Sequence, residues 1–202
     1  EKDDVRLAFK LLFQPWRWKG SNDENSTIVG NSSQLLEREF QKYLGVTHAF
    51  AFNSGRSALL AILEGLGLEK GDEVLLQAFT CNAVPNPVIW ASLKPVYIDC
   101  REDDFNIDPG DLEIKITPRS RVVIVQHTFG TPADIEHIVA TARKHNIQVI
   151  EDCAHALGAT SDYKLVGTFG DAAFFSFGRD KVISSVYGGI AITDNPNVAK
   201  GL

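Results

Sequence analysis

The sequence of 202 residues contains no methionine, only three cysteines and no excess of basic residues. Its 26 acidic residues outnumber 20 basic ones, for a formal net charge of −6, whereas proteins that bind nucleic acid through its phosphates carry a basic face. The longest apolar runs, such as residues 122–125, are far shorter than the ~20 residues of a membrane helix. We therefore predict neither a nucleic-acid partner nor a membrane partner.

The cysteines, Cys81, Cys100 and Cys153, are odd in number and form no C-x-x-C pair. Such a set is typical of reduced thiols in a cytosolic protein. The opening EKDD and a LAFKLLF stretch interrupted by lysine do not match a secretory signal. These features predict a cytoplasmic protein.

Short β-rich runs alternate with helical runs along most of the chain, the pattern of βαβ units and a mainly parallel sheet. The predicted strands are 48–52, 73–76, 95–98, 121–125 and 148–150, and the predicted helices are 55–66, 82–90, 108–114 and 133–145. After residue 158 no helix is expected, and residues 172–176 and 188–193 read as a strand hairpin. We predict an N-terminal arm and loop over 1–30, then one α/β domain over 31–202 with a mixed, mainly parallel sheet and helices on both faces.

The sequence also lacks the G-x-G-x-x-G and G-x-x-x-x-G-K-[ST] fingerprints, which excludes the usual dinucleotide and P-loop sites. Instead, the segment NSGRS at 53–57 joins a strand to a helix. Backbone amides and the helix dipole make such a turn suitable for binding phosphate. Taken alone, the segment is better explained as a simple strand-to-helix turn with Ser54 as the helix N-cap.

Two polar residues follow the predicted strand at 148–150. Asp152 comes directly after an apolar strand, where a carboxylate is costly unless a cation or a protonated ring nitrogen meets it. A helix N-cap is its structural alternative. His155 lies three residues on, in position to face the same cleft or to act as an ordinary hydrogen-bonding side chain.

The segment DAAFFSFGRDKVISSVYGG leads from an apolar strand through Ser176 and Lys181 to Gly188 and Gly189. A lysine between two strands is usually solvated. Beside Asp152 and a phosphate-binding turn, however, a partly desolvated amine is suited to Schiff-base chemistry with a carbonyl group.

The ordered set SGRSAL, GDEV, HTFGTPADIE, VIEDCAHALGA, GDAAFFSFGRDK and YGGIAIT, from about residue 35 to residue 193, resembles the DegT/DnrJ/EryC1/StrS aminotransferases. The resemblance implies the large domain of fold type I enzymes that use pyridoxal 5′-phosphate. It also implies roles for single residues: Lys181 as the Schiff-base lysine, Asp152 as the partner of the pyridinium nitrogen, and His155 near the ring hydroxyl. Phosphate binding is implied for Ser54, Gly55, Arg56 and Ser176.

The implied activity is transfer of an amino group from an amino acid, with glutamate as the expected donor, to a keto sugar that is linked to a nucleotide. A homodimer is implied as well. Two alternatives remain open. One is a sugar dehydratase of the same family, in which the resemblance implies histidine instead of the Schiff-base lysine. The other is a non-catalytic or regulatory protein that keeps the fold.

The chain departs from the family pattern at several positions. Arg56 stands where threonine is usual, and its guanidinium would either contact phosphate or turn to solvent. Cys81 takes the place of an aromatic residue that stacks on the cofactor, so stacking is either supplied by another residue, with Phe79 as the candidate, or weaker. Only 21 residues follow Lys181, so we expect the family's smaller C-terminal domain to be absent from this chain.

Other polar residues receive no catalytic role from the sequence. His127 follows a strand and is a candidate for lining the cleft. Asp99 and Asp108 are assigned to turns and caps. The spacing of His127, Asp134 and His137 fits no tight ligand pattern, so no metal site is predicted.

Overall fold

The computed structural model describes residues 30–202 of the chain. Nine strands are present in this range: β1 (His48–Phe52), β2 (Glu73–Gln77), β3 (Lys94–Ile98), β4 (Ser120–Gln126), β5 (Gln148–Asp152), β6 (Thr160–Ser161), β7 (Lys164–Leu165), β8 (Ala172–Ser176) and β9 (Gly189–Thr193). The helices there are α1 (Gly30–Leu44), α2 (Gly55–Gly65), α3 (Pro85–Trp90), α4 (Pro109–Lys115), α5 (Ile135–Lys144) and α6 (Pro196–Ala199). The predicted arm at 1–30 lies almost wholly outside the described residues.

Seven strands form one sheet in the order β1-β9-β8-β5-β4-β2-β3. From β8 to β3 every neighbouring pair is parallel, and β9 runs antiparallel to both β1 and β8. The prediction of a mixed, mainly parallel sheet is confirmed, and so is the β8–β9 hairpin. Strands β6 and β7 form a separate two-stranded ribbon.

Helices cover both faces of the sheet, as predicted. On one face, Leu59 and Ile62 of α2 and Val88 of α3 pack with Ile124 and Ile150. On the other, residues of α4 and α5 pack against Val123 and Val149, and residues of α1 pack against β8 and β9; the helical members are Leu112, Ile135, Ile138, Phe40 and Leu44. The change of face between positions 149 and 150 follows from the two-residue period of a strand.

Element bounds differ from the predictions where proline or a cap decides them. Helix α3 begins at Pro85, not at residue 82, because proline is favoured in the first helical turn. The prediction that no helix follows residue 158 is wrong: Asn195 accepts a hydrogen bond from the Asn197 amide and begins the short helix α6. Among residues 30–202, none of the helices combines the length and the apolar character needed to cross a membrane.

Candidate active site

A cleft of about 330 Å³ opens at the carboxyl ends of β5 and β8, beside the N-terminus of α2. Because these strands are parallel neighbours, the residues that follow them meet at one edge of the sheet, where ligands bind in open α/β folds. Six of the seven predicted cofactor-binding residues line the cleft: Gly55, Arg56, Asp152, His155, Ser176 and Lys181.

Asp152 provides the buried negative group of the cleft. The residue is 4% exposed, and its Oδ1 accepts a hydrogen bond from the Ala154 amide at 3.0 Å. Burial raises the pKa of Asp152 to about 6, although the hydrogen bond from the Ala154 amide and the charge of Lys181 act in the opposite direction. At neutral pH the group is therefore an anion whose burial is incompletely compensated, which suits it to receive a cationic ligand atom.

Lys181 reaches into the cleft from the loop between β8 and β9. Its side chain is 15% exposed, and Nζ lies 2.7 Å from His155 Nε2 and 3.0 Å from Asp180 Oδ2. Burial, followed by the charge of Lys181, lowers the pKa of His155. His155 is therefore neutral at pH 7, and its Nε2 accepts a hydrogen bond from the lysine amine.

Close backbone packing shapes the turn at the start of α2. Ser54 is the N-cap, and its Oγ accepts a hydrogen bond from the Ser57 amide at 3.1 Å. A Cβ at Gly55 would lie 2.9 Å from Ser176 Cβ. A Cβ at Gly189 would overlap the peptide between Ser54 and Gly55, so β9 can pass behind the turn only with glycine at this position.

The predicted phosphate-binding residues therefore fall into two groups. Gly55, Arg56 and Ser176 line the cleft, whereas Ser54 does not. The helix cap is the role that the structure gives to Ser54, and phosphate binding by this residue stays a prediction. The Arg56 guanidinium lies 6.0 Å from the ring centre of Trp90, where it makes a cation–π contact.

An aromatic rim, which we define as Phe79, Phe105 and Phe129, lies at the mouth of the cleft. The ring centres of Phe79 and Phe105 are 5.1 Å apart, and those of Phe79 and Phe129 are 6.1 Å apart. Phe129 also stacks on His155 at 5.9 Å. Cys81 is exposed and lines the cleft together with Phe79. Phe79 thus lies in the cleft. Its role as the substitute for the missing aromatic residue stays a prediction.

Sequence reasoning missed a buried glutamine behind the rim. Gln77 is 1% exposed, and its Nε2 lies within 3.0 Å of the carbonyl oxygens of Phe79 and Phe105 and of Thr128 Oγ1. Its Oε1 is buried without a partner among the described residues. A single amide thus connects the loops after β2, β3 and β4. The available signal was a polar residue at the end of the apolar strand EVLLQ.

A second missed residue is Glu151, which is fully buried on the face of β5 opposite Asp152. Oε1 accepts from the amides of Phe169 and Gly170, and Oε2 accepts from the Gly167 amide and from His127 Nε2. These donors satisfy the carboxylate without a cation. The charged residue inside the strand QVIED was the sequence signal.

His127 is fully buried and does not line the cleft. Its Nδ1 accepts from the Ala133 amide, which places the ring proton on Nε2, facing Glu151. Glu151, His127 and Cys153 lie close enough together to hold an ion, but the acceptor atoms of the first two are already used. Burial keeps the pKa of the Cys153 thiol well above its usual value, so this cluster is poorly suited to a metal.

The cap assigned from the sequence to Asp108 is confirmed: Asp108 is the N-cap of α4, where its side chain accepts from the amides of Gly110 and Asp111. Asp99 directly follows β3, and its Oδ1 accepts from the Cys100 amide at 2.8 Å. All three cysteines are free.

Solved structures of similar fold support the assignment of the architecture. The protein DesV of S. venezuelae, solved in complex with a ketimine intermediate, superposes with a TM-score of 0.85 and 31% identity over 98% of this chain and 52% of its own. The GDP-4-keto-6-deoxy-D-mannose-3-dehydratase of E. coli, solved with bound hydrated pyridoxal phosphate, gives 0.78 and 26% over 83% of this chain and 44% of its own. The fold is that of fold type I pyridoxal-phosphate enzymes.

Curated relatives match nearly the whole chain. The spore coat polysaccharide biosynthesis protein SpsC of Bacillus subtilis is 37% identical over 98% of this chain and 48% of its own length. The GDP-perosamine synthase of Caulobacter vibrioides is 39% identical over 85% of this chain and 46% of its own. The chain therefore spans about half the length of these relatives. Residues 18–202 match the family model of the DegT/DnrJ/EryC1/StrS aminotransferases, the family that the sequence motifs resemble. The chain belongs to the DegT/DnrJ/EryC1/StrS aminotransferase family.

Proposed function

We propose that the protein of which this chain is part is an aminotransferase that uses pyridoxal phosphate and moves an amino group from an amino acid, with glutamate as the donor, to a nucleotide-linked keto sugar. The observation that carries the proposal is the placement of an amine and a buried carboxylate in one cleft, with Lys181 and Asp152 both among the lining residues. Pyridoxal phosphate is the cofactor of this family, and its use in amino-group transfer combines a Schiff-base lysine with a charged partner for the ring nitrogen.

The residues of the cleft fit this cofactor. Gly55 leaves room beside Ser176 that a Cβ would fill, and the amides of the first turn of α2 favour an anion. We assign phosphate binding to Ser176 and to the backbone at Gly55 and Arg56. Asp152 is the only one of the lining residues with a carboxylate side chain, so we assign the ring nitrogen to it.

Each side chain then has a stated task. Asp152, ionised above pH ~6, holds the proton on the ring nitrogen. Lys181 would hold the cofactor through its aldehyde group, and its amine, when free, would act as the general base and acid that moves the Cα proton of the donor. When bound, the cofactor would supply a pyridinium ring that stabilises negative charge on the donor Cα.

His155 holds the amine in position for these proton transfers. Its neutral Nε2 accepts from Lys181 Nζ at 2.7 Å, whereas a cationic ring would repel the ammonium. The matched relative named GDP-perosamine synthase supports a nucleotide-linked acceptor. The two-stage transfer predicts ping-pong kinetics, and we propose that the enzyme works as a cytoplasmic homodimer.

Cofactor loading tests this proposal directly. The protein is mixed with pyridoxal phosphate, the visible absorbance of the bound cofactor is recorded, and the adduct is reduced with borohydride and mapped by peptide mass spectrometry. We expect the label on Lys181 and its absence in Lys181→Arg. Lys164→Arg, which changes an exposed lysine of β7, is the matched control and keeps the label. A label at another residue overturns the proposal.

The acceptor reaction separates transfer from dehydration. With glutamate and a nucleotide-linked keto sugar, an aminotransferase releases 2-oxoglutarate and an amino sugar in equal amounts. A dehydratase, the activity named for the matched E. coli structure, releases a deoxy keto sugar without net amine transfer. Because the resemblance implies histidine at the lysine position in the dehydratases, Lys181 favours transfer.

A further inference from the structure

Gln126 is a polar residue of the cleft that has no task in the proposed function. It ends β4 and is paired in register with Asp152, which ends the parallel neighbour β5. Side chains at paired positions of neighbouring strands lie on the same face of a sheet. The Gln126 amide and the Asp152 carboxylate are therefore neighbours, and both residues line the cleft.

Two threonines hold the Gln126 amide and leave one of its hydrogens free. Oε1 accepts a hydrogen bond from Thr80 Oγ1 at 2.8 Å, and Nε2 donates to Thr128 Oγ1 at 3.2 Å. Within residues 30–202, Thr128 Oγ1 is the only acceptor of Nε2. Because the nitrogen of a primary amide carries two hydrogens, the second one is available to a ligand in the cleft.

The covalent structure of pyridoxal phosphate decides which of its atoms lies on the side of Gln126. When the ring nitrogen is at Asp152 and the aldehyde is at Lys181, the phosphate arm and the ring hydroxyl project to opposite sides of the line that joins these two groups. The proposed phosphate site includes Ser176, the last residue of β8, which lies on one side of β5. Gln126 lies on the other side, at the end of β4. The ring hydroxyl is therefore on the side of Gln126.

We propose that Gln126 is a further cofactor-binding residue, which donates its second amide hydrogen to the ring hydroxyl oxygen of pyridoxal phosphate. This inference rests on the proposed function. A hydroxyl group on a pyridinium ring is acidic, so its oxygen carries negative charge and is best bound by a hydrogen-bond donor. His155 Nε2 accepts from Lys181 Nζ and has no hydrogen to offer to this oxygen. The Thr80 hydroxyl hydrogen is already donated to Gln126.

A cofactor analogue tests the contact with the hydroxyl group alone. Dissociation constants of pyridoxal phosphate and of 3-deoxypyridoxal phosphate, which lacks the ring hydroxyl, are measured by absorbance titration for the native protein and for Gln126→Leu. We expect loss of the hydroxyl to weaken binding about tenfold more in the native protein than in Gln126→Leu, because only the native protein loses a hydrogen bond to a charged group. The matched control is Gln148→Leu at the opposite end of β5, which should behave like the native protein.

The pH dependence of the visible absorbance of bound pyridoxal phosphate is a second, independent readout. A donor to the ring oxygen stabilises its anion, and so lowers the pKa of the proton that this oxygen shares with the Schiff-base nitrogen at Lys181. We expect the midpoint of the absorbance change to rise by about one pH unit in Gln126→Leu, the equivalent of the tenfold effect on binding. Asp152, His155 and Asp180, the titratable groups nearest to Lys181, are the same in both proteins, so the difference reports on Gln126.

An equal penalty for the missing hydroxyl in the native protein and in Gln126→Leu overturns the inference and leaves Gln126 as a link between Thr80 and Thr128. An unshifted absorbance midpoint in Gln126→Leu overturns it as well, because a purely structural role predicts no change in this pKa. Failure of the proposed function has a different signature, the absence of the borohydride label at Lys181 of the native protein.

Discussion

Replacing Asp152 by asparagine should make the cofactor-free protein more stable at alkaline pH, although it removes a group assigned to the reaction. Asp152 Oδ1 accepts a hydrogen bond from the Ala154 amide, and an asparagine oxygen can accept the same bond. The substitution therefore removes the buried charge and preserves the contact. Because burial raises the pKa of the carboxyl group, this charge opposes folding at neutral pH.

The magnitude follows from the difference between the two pKa values. The pKa rises from 3.8 to about 6 on folding, and one unit corresponds to about 1.4 kcal/mol. The folded state therefore binds the proton more tightly than the unfolded state. Relative to the asparagine variant, the native protein has its full stability below pH ~4 and loses about 3 kcal/mol as the pH rises through ~6.

Urea unfolding of both proteins without cofactor, at several values between pH 4 and pH 8, measures this difference. We expect the free energies of unfolding to be similar near pH 4 and Asp152→Asn to be the more stable protein at pH 8. Asp103→Asn is the control of opposite sign, since a hydrogen bond from Arg101 lowers the pKa of that exposed carboxyl group. Equal stability of Asp152→Asn and the native protein at pH 8 would refute the reasoning.

Three further substitutions test other parts of the fold and the site. Gly189→Ala places a methyl group against the peptide between Ser54 and Gly55, and we expect at least tenfold weaker cofactor binding in an absorbance titration. Native affinity would contradict the proposed phosphate site at the start of α2. Glu151→Gln turns a hydrogen-bond donor toward backbone amides, so urea unfolding should show a loss of about 1–3 kcal/mol per unsatisfied group, against little change in the exposed Glu136→Gln. Asp108→Ala removes the cap of α4 and should lower the unfolding free energy by about 1 kcal/mol, measured by thermal denaturation; an unchanged Tm would count against the cap.

The main features of the cleft were predictable because a parallel sheet gathers residues that follow neighbouring strands. Asp152 ends β5, and Lys181 follows β8, its parallel neighbour. The alternating runs gave the strands, and the family motifs gave the order of the chemical groups. His155 beside Lys181 follows from the same arrangement, since the loop after β5 and the loop after β8 share one edge.

The rest depends on contacts between segments that are distant in sequence. The spacing of Gln77, Phe105 and Thr128 gives no sign that one amide joins them, because side-chain hydrogen bonds follow no sequence period. The left-handed conformations of Phe105 and Phe129 are set by their loops and oppose the preference of phenylalanine. Ser54 shows the opposite: the sequence already offered the helix N-cap as its role, and the cap accounts for the hydrogen bond that Ser54 Oγ accepts from the Ser57 amide.

The position of β9 between β1 and β8 has a consequence for biosynthesis. β1 pairs with β9, for example His48 with Thr193. β1 therefore cannot form these pairs until residues 189–193 have been synthesised. Gly189, which packs behind the start of α2, arrives with the same strand. A ribosome that has translated only as far as Lys181 has therefore not yet released β9, the strand that completes the pocket. Cofactor binding becomes possible only after β9 has left the ribosome and inserted between β1 and β8.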